Sequence, residues 1–284
     1  KYIVLAIDVP KNNEQGPLAV ENIFSQLAGG HGTETWYQKY WQGKHQLAMS
    51  LEIVSIDGYV QFLVYAMEDY RDLVESAFYA QYPDAEITEV EDYVNGPNND
   101  FVNLKFPNDK YDLFGSEIVL GKRSAFPLRL WKDFEHTMSQ ELKDPMASLL
   151  EAMNKVGPGE QVWLQIVVTP EYGYNWQPGA RRQAMKIAGK LKEEPNSGLF
   201  GQLFVGAMAW LDALGTVIFP FYNATEEVKK KDDLPSLMLH LTPGERSQIE
   251  GIELKADKPG FWCKMRYIYI GQKKVFSRTR GVSP

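Results

Sequence analysis

The chain has 284 residues, enough for two ordinary domains or one duplicated domain. With 44% hydrophobic and 24% charged residues it folds around a core, which excludes a disordered chain. A net charge of −7 excludes a protein that grips nucleic acid with its whole surface and confines any such contact to a local patch. The single cysteine, Cys263, excludes an intramolecular disulfide and fits a reducing compartment.

Residues 2–8 are apolar and β-rich, with no signal-peptide pattern, so the chain opens directly on a strand. Beginning inside a strand and stopping at Pro284, it reads as part of a longer protein. Pro17 stands where a first helical residue would, and Val20, Ile23, Phe24 and Leu27 follow at helical spacing until Gly29-Gly30. Residues 47–54 and 59–66 predict two strands joined by Asp57-Gly58, a dipeptide suited to the positive φ of a two-residue hairpin. A helix with a buried stripe of Tyr70, Leu73, Val74, Ala77 and Phe78 runs to Pro83. The strand Ala85 to Asp92 carries Glu86, Glu89, Glu91 and Asp92, charges that suit a sheet edge. This order, β-α-β-β-α-β, is the ferredoxin-like pattern.

A linker follows at 96–110, its composition shift beginning near residue 94. A second unit is predicted over 111–276: strands at Glu117–Leu120 and Pro127–Trp131, then a helix opened by Asp144-Pro145. That helix buries Met146, Leu149, Leu150 and Met153 and ends at Gly157, and Val162 to Val168 is a strand. After an insertion at about 171–241, Thr242-Pro-Gly-Glu245 forms a capping box, Ile249 and Ile252 anchor the helix, and Lys258-Pro-Gly260 closes it. Phe261 to Ile270 alternates as a long strand with two apolar faces, leaving 277–284 as a tail. The expected fold class is therefore α+β, two ferredoxin-like units of βαββαβ type in tandem: residues 1–95, and a second unit with a long insertion.

Residues 199–222 form an apolar run carrying Leu199, Phe200, Phe204, Trp210, Phe219 and Phe221. As one helix the run would reach about 36 Å, enough for a bilayer core. Asp212 in its middle and the breakers Gly206, Gly215 and Pro220 oppose a crossing. A hairpin packed on the core, on a partner or on a membrane surface fits better. Ahead of it, a helix over Gly179 to Lys192 buries Ala184, Ile187, Ala188 and Leu191. Arg182, Lys186 and Lys190, with Arg181 beside them, make its other face basic, suited to lipid headgroups or nucleic-acid phosphates. A stripe that short is more often a solvated surface.

No catalytic constellation emerges. Gly115 to Arg123 has the wrong spacing for a phosphate loop and lacks its hydroxyl. His31, His45, His136 and His240 show no metal-ligand spacing, and no G-x-S-x-G occurs. Cys263, within an alternating strand, is expected to be buried rather than nucleophilic. Glu89, Glu91, Asp92 and Asp100 lack the calcium-loop pattern, and Asn223-Ala-Thr225 is a common chance match to a glycosylation acceptor. Tyr59 and Tyr65 would be base-stacking candidates on a ferredoxin-like sheet, but the basic-aromatic signature of RNA-recognition motifs is missing. No catalytic, cofactor-binding or metal residue is nominated.

Several stretches carry a family resemblance: Val9-Pro10 with Gly16 to Phe24, Ser50 to Ser55, Leu73 to Ile87, Trp163 to Ile166, Lys258 to Phe261 and Arg266 to Ile270. Together they resemble the region preceding the motor in type IV secretion and conjugation-like membrane-associated ATPases of candidate-phyla bacteria. The resemblance implies a non-catalytic scaffold on the cytoplasmic face of the cell membrane, part of a larger protein. Its implied partners are a motor ATPase domain or subunit, the membrane surface and further copies of itself, with DNA contact as a weaker option. The motor's phosphate loop has no counterpart here, so no ATPase activity, cofactor or catalytic residue carries over. The alternative is a nucleic-acid-binding module using the basic helix.

Overall fold

A computed structural model describes residues 1–10, 13, 15–30, 37, 41, 48–95, 104–134, 146–171, 176–189 and 241–282. The first half supplies β1 (Tyr2–Asp8), α1 (Pro17–Leu27), β2 (Met49–Ile56), β3 (Tyr59–Met67), α2 (Arg71–Tyr79) and β4 (Glu86–Val90). The second supplies β5 (Tyr111–Ile118), α3 (Ala147–Asn154), β6 (Glu160–Pro170), α4 (Trp176–Ile187), α5 (Pro243–Ala256), β7 (Phe261–Gln272) and α6 (Arg278–Val282). The fold class is α+β. All strands join one seven-stranded sheet in the order β4-β1-β3-β2-β6-β7-β5, and every neighbouring pair is antiparallel.

Local chemistry sets the turns and ends. The β2–β3 hairpin closes on Asp57 and Gly58, both at positive φ (54° and 88°), as a two-residue turn between right-twisted strands requires. Helix α5 begins with a full capping box. The amide of Glu245 donates to Thr242 Oγ1 at 3.3 Å, and the Thr242 amide donates back to Glu245 Oε2 at 2.9 Å.

Alternation along β3 divides the core between the sheet's two faces. Val64 and Ala66 meet Leu5, Ile23, Leu27, Val74 and Ala77, so α1 and α2 cover that face. Val60 shares the parity of Val64 and packs against the cluster around Met153, Val156, Val162 and Tyr269, which places α3 on the same face. On the other face Val4, Ala6, Val54, Leu63, Trp163 and Ile270 are covered in part by Tyr93, Val94 and Leu104.

The chain divides into two compact units: residues 1–124, 128–176 and 257–284, which hold all seven strands, and residues 125–127 and 177–256. In the second unit α5 packs its buried Ile249 and Ile252, while α4 buries Ala180 and Ala184.

Two expectations need correction. Pro127–Trp131 is not a strand: residues 127–130 are irregular, and Trp131–Phe134 is a short 3-10 turn. Pro127 has no N–H for a ladder and instead lies close against Gly251 of α5. The Asp133 carboxylate accepts from the Leu130 amide at 2.6 Å, starting the turn. The second half therefore contributes three strands to the sheet. Cys263 is exposed, not buried. Strand β5 reaches β7 only from Met265 onward, so Phe261 to Lys264 have a neighbour on one side alone, and Trp262 is 70% exposed. Surrounding side chains still desolvate the thiol enough to raise its pKa, which keeps the nucleophilic thiolate scarce.

Candidate functional site

The basic residues of α4 stand where the spacing put them: Arg181, Arg182 and Lys186 are exposed, opposite the buried Ala180 and Ala184. Lys190 lies outside the described residues, as do Leu199, Phe200, Phe204, Trp210, Phe219 and Phe221, and the four histidines. Among the described residues no helix is long and apolar enough to cross a membrane. Nor, among them, do three His, Cys, Asp or Glu side chains converge as a metal site would need.

The acidic strand β4 is an edge, as its charges suggested. Arg71 Nη1 meets Glu89 Oε2 at 2.8 Å, and Lys1 Nζ lies 3.6 Å from Glu89 Oε1. Asp92 accepts from the amides of Val94 and Asn95, ordering the turn after the strand. These partners account for Glu89 and Asp92, while Asp100 lies outside the described residues. Tyr59 and Tyr65 do not form a platform. Six residues apart on β3, they stand about 20 Å from each other, and the Tyr65 ring is stacked on Tyr2 at 5.1 Å.

Two buried carboxylates were missed in the sequence. Glu52 of β2 accepts from the Tyr93 hydroxyl at 2.5 Å, and Gln165 Nε2 donates to that same hydroxyl oxygen at 2.7 Å. The buried Ser50 hydroxyl lies beside the Glu52 carboxyl, without a partner of good hydrogen-bond geometry among the described residues. Burial drives the Glu52 pKa upward from its ordinary value, opposed by the Ser50 and then the Tyr93 hydroxyl and reinforced by the charge of Asp92. The signal was present: Ser50 and Glu52 are polar at alternating positions of an otherwise apolar strand.

The second carboxylate, Glu160, starts β6 and is 2% exposed. It accepts from Tyr269 Oη, Arg280 Nη1 and the Gly157 amide. Ser277 donates its amide to Tyr269 Oη at 3.0 Å, and Phe276 stacks on the Tyr269 ring at 4.9 Å. Desolvation, with the hydrogen bond to Glu160, pushes the Tyr269 phenol up to about 12. A cavity of about 170 Å³ lies beside this cluster, lined by Met153, Val156, Val162, Tyr267, Tyr269 and Arg280. The polar atoms there are spent on holding the C-terminal segment against the sheet. None is poised as a nucleophile with a base.

The remaining feature is the other edge of the sheet. Strand β5 has β7 on one side and, among the described residues, no strand on the other. Leu113, Ile118, Val119 and Leu120 are exposed on and just beyond it, Ile118 to 47% and Val119 to 75%. The amides of Tyr111 and Leu113 are taken by the side chains of Asn108 and Asp112, so odd-numbered residues of β5 turn their main-chain groups away from β7. Glu117 has its charge met by Lys264 of β7 at 3.7 Å. The β4 edge is thus predominantly charged, while the β5 edge mixes exposed Leu113 and Ile118 with Asp112 and Glu117.

A family model described as Domain of unknown function (DUF8128) matches residues 8–283. Comparison with curated proteins and with solved structures gives no match.

Proposed function

The chain belongs to the DUF8128 family over nearly its whole length, and we propose that it is a non-catalytic assembly domain that docks by its β5 edge within a membrane-associated, type IV secretion-like transport machine. One observation carries this reading. The β5 edge exposes Leu113 and Ile118, with Val119 and Leu120 just beyond it, and no strand pairs its outer side among the described residues, whereas on β4 Glu89 is held by Arg71 and Lys1. An edge with exposed apolar side chains favours strand addition, and proteins that need no partner there blunt it. The transport setting and the motor partner come from the family resemblance. On the same reading the halves are copies of one ferredoxin-like unit. The first keeps all four strands, and the second joins through β2–β6 with three.

The test is the size of the native complex. In membranes of the source cell, the full-length protein is expected to run on native electrophoresis well above its own mass. Val119→Lys should shift it to a smaller species while leaving the fold intact. A native mass unchanged by Val119→Lys, or ATP turnover by the purified chain, overturns the reading.

A further inference from the structure

We infer that the turn at residues 91–95 is a proton-controlled strap, closed on the sheet while Glu52 is neutral and lifted from it when Glu52 ionises. The strap belongs to the second face of the sheet, and its action does not depend on the β5 edge. Among the described residues, the side chains packed there on Val54, Leu63 and Trp163 include Tyr93, Val94 and Leu104, none of them in a helix. Tyr93 holds at two points. Its ring meets Trp163 edge-on, with 5.0 Å between centroids and 74° between planes. Its hydroxyl donates to Glu52 Oε2 at 2.5 Å and accepts from Gln165 Nε2 at 2.7 Å. The β4 ladder ends at Val90, opposite Val4, so side chains rather than a strand partner hold the turn beyond it.

The charge on Glu52 decides whether that hold survives. Glu52 is 6% exposed. From the turn it faces the Tyr93 hydroxyl and the Asp92 carboxylate, while Glu91 is exposed. Its own strand supplies the Ser50 hydroxyl. Strand β3 sets Leu63 opposite it and Tyr65 diagonally, with Tyr2 of β1 stacked on Tyr65. Strand β6 sets Gln165 opposite it. Arg266 of β7 stands opposite Gln165, and so two strands, about 10 Å, from Glu52. Lys264 is paired with Glu117, and Lys105, next to Leu104, is exposed. A neutral Glu52 can donate its proton to Ser50 and keep an acceptor for Tyr93. An ionised Glu52 is a buried anion with a second anion, Asp92, in the strap itself. Strand β2 cannot yield, because β3 and β6 pair with it along its length. The turn gives way first, water reaches the carboxylate, and the apolar surface of Val54, Leu63 and Trp163 is bared.

The experiment follows the indole N–H signals of the full chain by NMR from acid to mildly alkaline pH, with Trp163 assigned through Trp163→Phe. The Trp163 signal should move, and lose its contact to the Tyr93 ring, in a transition whose midpoint lies above the ordinary Glu value of about 4.3. The other tryptophan signals should stay in place. Glu52→Gln should keep the contact at every pH. Asp92→Asn, which retains an acceptor for the Val94 and Asn95 amides, should leave the strap more fully closed at high pH, and serves if Glu52→Gln folds poorly. A Tyr93–Trp163 contact that persists across the range in wild type overturns the strap. So does the same transition in Glu52→Gln, undiminished opening in Asp92→Asn, or a transition shared by every tryptophan, which reports unfolding of the whole chain.

Discussion

Glu52 is a carboxyl group held in the sheet with a tyrosine hydroxyl and, among the described residues, no cation paired with it. Its proton is bound more tightly in the folded chain than in the unfolded one, because burial penalises the charge. The resulting stabilisation is full below the ordinary carboxylate pKa and is lost as the pH rises through the raised folded value. Glu52→Gln keeps an acceptor for Tyr93 and abolishes the titration. Thermal melts should show the variant gaining on wild type at neutral pH, with the gain vanishing in acid. A gain that is constant across pH would remove Glu52 as the titrating group. Glu160 is held differently: three donors meet its carboxylate, and Arg280 is one of them.

At the scale of elements, two local devices are open to direct measurement. Thr242→Ala removes one side of the α5 capping box and should cost about 1 kcal/mol, read by urea denaturation, with faster hydrogen exchange in the first turn of α5. Gly58→Ala strikes the β2–β3 turn twice. Its φ of +88° strains any side chain, and an added Cβ would stand 2.6 Å from the Val156 carbonyl oxygen, a backbone atom that cannot simply rotate away. A loss of about 2 kcal/mol or more is expected in the same measurement. Both devices were legible in the sequence, as the pairs Thr242/Glu245 and Asp57-Gly58. The 127–131 segment was misread because its apolar residues, Leu128 and Leu130, alternate as a strand would. Pro127, which cannot donate to a ladder, was the contrary signal.

For the molecule as a whole, the central pairing is β2 with β6, running from Met49↔Val168 to Ile56↔Gln161. It joins the first half to the second in one sheet, with paired strands on both sides of each. Hydrogen exchange should therefore be slowest at Leu51–Val54 and Val162–Ile166, and faster at the outward amides of Gly115 and Glu117 on the β5 edge. Equal protection at the β5 edge in dilute solution would mean that the edge is already covered.

Strand periodicity, helix caps and the β2–β3 hairpin follow from residues at most a few positions apart, where stereochemistry and hydrogen bonding act through the chain itself. They could be read from the linear order, as could the acidic character of β4 and the basic face of α4. The β2–β6 pairing, the burial of Glu52 and Glu160, and the position of β5 at an open edge depend on segments tens to more than a hundred residues apart. No local propensity specifies which strand lies next to which. That choice emerges when apolar surfaces on distant elements are buried together, and it leaves Ile118 and Val119 exposed at the end of the strand on the sheet's edge.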